Sequence, residues 1–238
     1  MNSIALVYGL AAAVANVVGS IAVTSGRPWS VRALDRMLAF AAGFLLSVAF
    51  VDLFPEAIAR GGRTAASVAI ITYLLVHLSQ HTLGRHFHFG EETHAVSRAI
   101  SVSALFGLLL HTFVDGVAVA SGLLVSTTVG ALVFIGVLLH KFPEGLAISS
   151  LFLAGGYSRG TAILAAAALG CATLLGVALT DFIAPLRHYG LAISAGVTIY
   201  VGASNLVPEL QSRAGWGTPV SFLAGCGAYF AGRLLLPL

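Results

Sequence analysis

Charge is what this chain has least of. Only 9% of its 238 residues are Asp, Glu, Lys or Arg, while 58% are hydrophobic. Soluble domains carry about 25% charged residues, so the deficit excludes a soluble globular fold and points to a multi-spanning membrane protein. Long polar blocks are missing too, and residues 1–238 therefore read as a single transmembrane domain. Lysine is almost absent: of twelve basic residues, eleven are Arg and one is Lys141. The net charge of +3 is spread over short connections, which excludes a nucleic-acid face and makes charge a matter of membrane orientation. The two cysteines, Cys171 and Cys226, lie far apart in apolar stretches. They read as small interior residues in reduced form. The first 26 residues lack the basic n-region of a cleavable signal peptide and are long enough for a retained first helix.

What is present is apolar length. A spanning helix needs about 20 mainly apolar residues, and the sequence predicts eight: 3–24, 34–55, 64–83, 98–121, 128–153, 160–181, 190–210 and 216–236. Pro28, Gly61-Gly62, Gly155-Gly156 and Gly215 punctuate the connections. Arg27, Arg32, Arg36, Arg85, Arg98, Arg159 and Arg213 fall on one side, and Arg60, Arg63, Arg187 and Arg233 on the other. The excess puts the first set in the cytoplasm and both termini outside. Short loops and heavy use of Ala, Gly and Arg are compatible with a bacterial inner membrane.

Thirteen residues are nearly written twice. Leu109–Ser121 returns as Leu138–Ser150, with seven identities at an offset of 29. Each copy carries a histidine and, four residues on, a carboxylate: His111 with Asp115, His140 with Glu144. A weaker repeat relates Asp52-Leu53-Phe54-Pro55-Glu56 to Asn205-Leu206-Val207-Pro208-Glu209, with Ala42-Gly43 and Ala195-Gly196 at the same offset. An odd number of loops separates the members of each pair, so both repeats relate antiparallel helices. That is the pattern of an inverted repeat, whose substrate site lies near the bilayer midplane.

Residues i and i+4 share one face of a helix. If the fourth and fifth helices face each other, two imidazoles and two carboxylates converge. This set suits Zn²⁺, and also Fe²⁺, Mn²⁺, Co²⁺, Ni²⁺ or Cd²⁺. No cysteine takes part, and moderate affinity suits a carrier that must release its cargo. Asp115, Glu144 and Lys141 together would cost on the order of 8–10 kcal/mol facing lipid, a cost that function must justify. Pro143 frees the carbonyl of Leu139 one turn earlier, which makes either an extra oxygen ligand, a hinge or a packing kink. Gly116 and Gly145 permit close helix approach.

The motifs His111-Thr112-Phe113-Val114-Asp115-Gly116 and His140-Lys141-Phe142-Pro143-Glu144-Gly145 resemble those of the ZIP (Zrt-/Irt-like protein) family of divalent-metal transporters, in its prokaryotic type. The Pro55-Glu56 and Pro208-Glu209 segments are similar to family segments as well. The resemblance implies an all-α fold of eight spans in a 3+2+3 arrangement. It implies transport of a metal ion toward the cytoplasm by an elevator-like slide, with the metal as substrate and no organic cofactor. In two-metal members the residue after each motif histidine helps bind a second ion. Here those positions hold Thr112 and Lys141. An ammonium only donates, so Lys141 is expected to sit where the second ion would, balancing Glu144 or Asp115. Helix 6 of the family often supplies an acid, and none lies between 160 and 180. The expectation is one metal site made by His111, Asp115, His140 and Glu144.

Other polar residues suggest entrance and exit. His77 and His81, then His86, His88, Glu91, Glu92 and His94, resemble a cytoplasmic metal-collecting loop over 84–97. Asp52 and Glu56 either attract cations at the outer end, and Glu209 serves exit, or each is an ordinary interfacial acid. Asn16, Ser47 and Asn205 either line the path or bond across helices. Asp181 and His188 read as surface beside the loop between helices 6 and 7. A homodimer is compatible with the pattern, and the expected partners are a divalent metal ion and the lipid bilayer. Rival readings stay open: an intramembrane metal hydrolase, although Lys141 stands where a His-Glu-x-x-His motif places its Glu; a metal-binding sensor that does not transport; and a proton-coupled solute carrier, which leaves two matched His-x-x-x-acid pairs unexplained.

Overall fold

A computed structural model of the protein describes residues 3–25, 30–83, 98–208 and 215–235. Among these, all regular structure is helical, as hydrocarbon demands of a backbone that must satisfy its own hydrogen bonds. The α-helices are α1 (Ser3–Thr24), α2 (Val31–Val48), α3 (Phe54–Leu83), α4 (Arg98–Val125), α5 (Thr127–Ala154), α6 (Arg159–Phe182), α7 (Ala184–Ile199) and α8 (Gly217–Leu235).

Two π-helical segments, Ala49–Leu53 and Tyr200–Leu206, interrupt the series. Each runs up to a proline, Pro55 or Pro208. A proline has no amide to donate and clashes with the carbonyl four residues back, and a π turn relieves this by widening the helix. Accordingly Phe54 N–H bonds to Ala49 O, and Val207 N–H to Gly202 O, each five residues back. The two Leu-x-Pro-Glu segments thus share a backbone irregularity as well as a sequence.

Five helical stretches among the described residues are long and apolar enough to cross a membrane: Ser3–Thr24, Arg32–Leu78, Arg98–Val125, Thr127–Ala154 and Arg159–Phe182. The eight expected spans differ from this in two places. The second and third form one stretch, broken at Gly62, whose φ of 55° and ψ of −140° only glycine adopts freely. At the other end, α7 gives way to its π segment after 16 residues, and the hydropathy of α8 is diluted by glycines and Arg233. Large apolar side chains such as Val7, Leu10 and Val14 on α1, Leu74 and Leu75 on α3, and Leu223 and Phe230 on α8 remain exposed. Such a belt suits lipid, and the chain is an integral membrane protein.

Packing sorts the helices into two groups. α1 lies on α5 and α6, and α4 on α5 and α6; separately, α2 lies on α8, and α3 on α7. The groups meet where α2 touches α5 and α4 touches α7, along an apolar seam that includes Phe44, Val48, Leu132, Val137 and Leu191. Within the first group two crossings are glycine to glycine. A Cβ on Gly116 would overlap the carbonyl of Thr173, and one on Gly176 that of Phe113. Likewise Gly145 faces the carbonyl of Asn16, and Gly19 that of Phe142. Both motif helices are therefore held at backbone contact next to their carboxylates.

Candidate metal centre

A single residue, Ser126, joins α4 to α5, and its hydroxyl caps α5 by accepting the amide of Val129 at 3.1 Å. His111 lies fifteen residues before Ser126 and His140 fourteen after it. At 1.5 Å per residue both sit about 21 Å from the turn, at one depth in the middle of their helices.

The four expected donors do converge. One ligand atom from each of His111, Asp115, His140 and Glu144 lies within 4.8 Å of the others. Asp115 Oδ2 is 3.4 Å from His111 Nε2 and 3.2 Å from His140 Nε2. Glu144 Oε2 is 4.0 Å from His111 Nε2 and 3.8 Å from His140 Nε2. Tetrahedral zinc bonds of about 2.0–2.1 Å set neighbouring ligand atoms about 3.3–3.4 Å apart. The cluster is within a few tenths of an ångström of that spacing on the Asp115 side and slightly open on the Glu144 side. Donor chemistry and geometry both fit a divalent transition-metal ion.

Second-sphere bonds prepare part of this set. His140 Nδ1 is 3.0 Å from the carbonyl of Gly136, which can only accept, so Nδ1 donates there and Nε2 is the ring nitrogen turned to the centre, within hydrogen-bond distance of Asp115 Oδ2. His111 Nδ1 has no partner among the described residues. His111 is also the most accessible of the four, with 13% of its side chain exposed against 6–7% for the others. The open side of the centre is the His111 side.

Lys141 is wholly buried, and its Nζ stands 2.6 Å from Asp115 Oδ2 and 2.8 Å from Glu144 Oε2. It bridges the same two oxygens that face the histidines. Thr112 is also buried, but its hydroxyl bonds to the carbonyl of Leu109 at 3.1 Å, within its own helix. The two residues that follow the motif histidines thus differ in role: one enters the centre and the other does not.

Asp52, expected at an entrance, is buried, accepts a 2.7 Å bond from the Tyr229 hydroxyl, and pairs with Arg233 at 3.1 Å. Glu56 pairs with Arg60 at 2.7 Å. Both acids line a groove of about 500 Å³ together with Arg233 and the α4–α5 turn at Val125 and Ser126. His77 is exposed and stacks edge-on to Tyr200 at 5.8 Å. The side chains of His81 and Asn205, and residues His86, His88, Glu91, Glu92, His94 and Glu209, lie outside the described residues. Ser47 bonds to Gly43 O in its own helix. Asp181 and His188 belong to α6 and α7, separated only by a connection at Ile183, so the loop they were expected to flank is one residue long. Cys226 is partly buried, but Cys171 is exposed on α6, contrary to the expectation of an interior thiol. The apolar stretch around it says only that it lies in a membrane helix, not which face it occupies.

Four contacts are not marked in the sequence. Tyr229 and Arg233 hold Asp52 from 177 and 181 positions away. Ser20 and Ser149 bond to each other at 2.6 Å between α1 and α5. Asn16 donates from Nδ2 to Glu144 Oε1 at 3.5 Å. The sequence signal for the last was slight: a lone amide in an apolar helix.

Residues 76–232 match the family model described as ZIP zinc transporter. The match takes in both motif helices and stops short of α1 and α2, so Asn16 and Asp52 lie outside it. No curated protein matches the chain.

Proposed function

The chain belongs to the ZIP zinc transporter family, and from that premise we propose that it carries Zn²⁺ toward the cytoplasm, one ion at a time, through the centre made by His111, Asp115, His140 and Glu144. Fe²⁺, Mn²⁺ and Cd²⁺ suit the same N/O donors. Family members are transporters of divalent metals rather than enzymes. The observation that carries the reading is the convergence of both motif copies on one buried point.

The single-ion stoichiometry rests on Lys141. Its ammonium bridges the two carboxylates where a second cation would need them. With neutral imidazoles, two carboxylates and one ammonium leave a formal charge of −1, enough to attract one divalent ion.

An eight-span, 3+2+3 architecture is the arrangement we favour. The paired π segments support an inverted relation between α2 and α7, and the matching glycine crossings support one between the α1–α5 and α6–α4 pairs. An elevator-like slide draws support from the two packing groups and the apolar seam between them. In this scheme α1, α4, α5 and α6 move with the ion, and α2, α3, α7 and α8 stay. The groove beside Asp52 and Glu56 serves as the outer approach. A bacterial inner membrane with both termini outside fits the arginine distribution.

Uptake into liposomes by the purified protein tests this. Zn²⁺ influx should saturate and should be lost in the double variant His111→Ala/His140→Ala. Absence of flux for Zn²⁺, Fe²⁺, Mn²⁺ and Cd²⁺ alike overturns the transporter reading.

A further inference from the structure

We infer that Asn16, on α1, is an oxygen donor to the transported cation, so that three helices rather than two build the centre. The inference rests on the metal-transport reading above and extends it to a residue outside the matched family segment.

Asn16 has no exposed surface. It sits in a helix otherwise composed of apolar and small residues, with few other polar groups. Its Nδ2 points at Glu144 Oε1, at 3.5 Å. That orientation is dictated by chemistry, since the flipped amide would set its carbonyl oxygen against a carboxylate, two acceptors facing each other. The other end of the amide is the telling one. Asn16 Oδ1 is buried and has no hydrogen-bond partner among the described residues. Buried polar atoms in proteins are almost always satisfied, and an exception calls for a water or ion that completes it.

The backbone fixes this amide in place. Gly145, next to Glu144, packs on the carbonyl of Asn16 itself, and Gly19 packs on the carbonyl of Phe142, between His140 and Glu144. α1 is thus docked on the very turn of α5 that bears the ligands. An amide oxygen also suits the charge balance, because it adds a ligand without adding a negative charge to two carboxylates that already share one lysine. With it the donor set becomes two imidazole nitrogens and three oxygens, which suits a five-coordinate shell. Carbonyl oxygen moves the preference toward harder ions such as Mn²⁺.

Co²⁺ titration of the purified full-length protein tests the assignment, because the strength of its visible absorption reports coordination number. Wild type should bind Co²⁺ with the weaker band of a five-coordinate ion. Asn16→Ala should strengthen that band toward tetrahedral intensity and weaken binding about tenfold. Asn16→Asp, which keeps the oxygen and adds charge, should bind more tightly than wild type with a wild-type-like band. Wild-type affinity and spectrum in Asn16→Ala overturn the inference and leave the transport reading intact. Should Asn16→Ala fail to fold, Asn16→Asp decides alone, and binding no tighter than wild type overturns it. A wild-type protein that takes up no Co²⁺ overturns the metal reading and this inference together.

Discussion

The Lys141 ammonium stands 2.6 Å from Asp115 Oδ2, the same oxygen that lies 3.4 Å from His111 Nε2 and 3.2 Å from His140 Nε2. On the proposed reading, one atom is therefore shared between a cation fixed in the protein and the donor set for the transported ion. Any arriving ion must compete with the lysine or push it aside. This keeps the empty centre partly neutralised inside a low-dielectric medium, where uncompensated charge is expensive.

The stability of the empty protein should expose that competition. Removing one member of a buried ion pair leaves the rest uncompensated and costs about 3–5 kcal/mol. Lys141→Met leaves Asp115 and Glu144 without their cation. We expect this variant to unfold at a markedly lower temperature than wild type in the presence of a chelator. Added Zn²⁺ should restore more stability to the variant than to wild type, because a ligand that binds only the folded state stabilises it in proportion to its affinity. Thermal unfolding in detergent, with and without Zn²⁺, measures both effects. An equal metal-dependent rise in the two proteins would refute the competition.

Charge reversal at the same position should change the count of ions. Lys141→Glu replaces a donor by a ligand at the point between the two carboxylates. Calorimetric Zn²⁺ titration should move from one ion per chain to two. If the variant still binds one ion and transports as wild type does, Lys141 is not standing in for a metal.

Backbone contact at the motif helices should be intolerant of a single methyl group. Gly145→Ala drives a Cβ into the carbonyl of Asn16, and Gly116→Ala drives one into that of Thr173. Overpacking of this kind costs about 1–3 kcal/mol or more. Gly107→Ala, on the exposed face of α4 with nothing within 4 Å of the added atom, is the control. Helix propensity favours alanine there by about 1 kcal/mol. Unfolding midpoints should fall for the first two and hold or rise for the third; a comparable fall in all three would show that the glycines serve helix flexibility instead.

The residues of the candidate centre are legible in the sequence because their geometry is local. A spacing of four fixes a helical face, and the offset of 29 residues leaves room only for a tight hairpin between the copies. The same reasoning stops at Asn16. Its meaning depends on which helix α1 docks against, and that is set by Gly19 and Gly145, 126 positions apart and unmarked among the chain's 27 glycines. Asp52 shows the same limit, since its partners Tyr229 and Arg233 sit at the far end of the chain. Pro55 and Pro208 were visible as breaks, but a proline alone does not say whether a helix ends, kinks or widens into a π turn. Gly62 was read as a connection, and it is one, although the turn it makes is tighter than the expected gap from 55 to 64.

The one-residue link at Ser126 leaves no slack between α4 and α5. Neither helix can travel along its axis without dragging the other, so the four donors are tied together like fingers of one hand. If the centre carries the ion as proposed, drawing one motif helix past its neighbour does not free it. On that proposal, release comes from outside the grip, through water or a competing group reaching the more exposed His111 side.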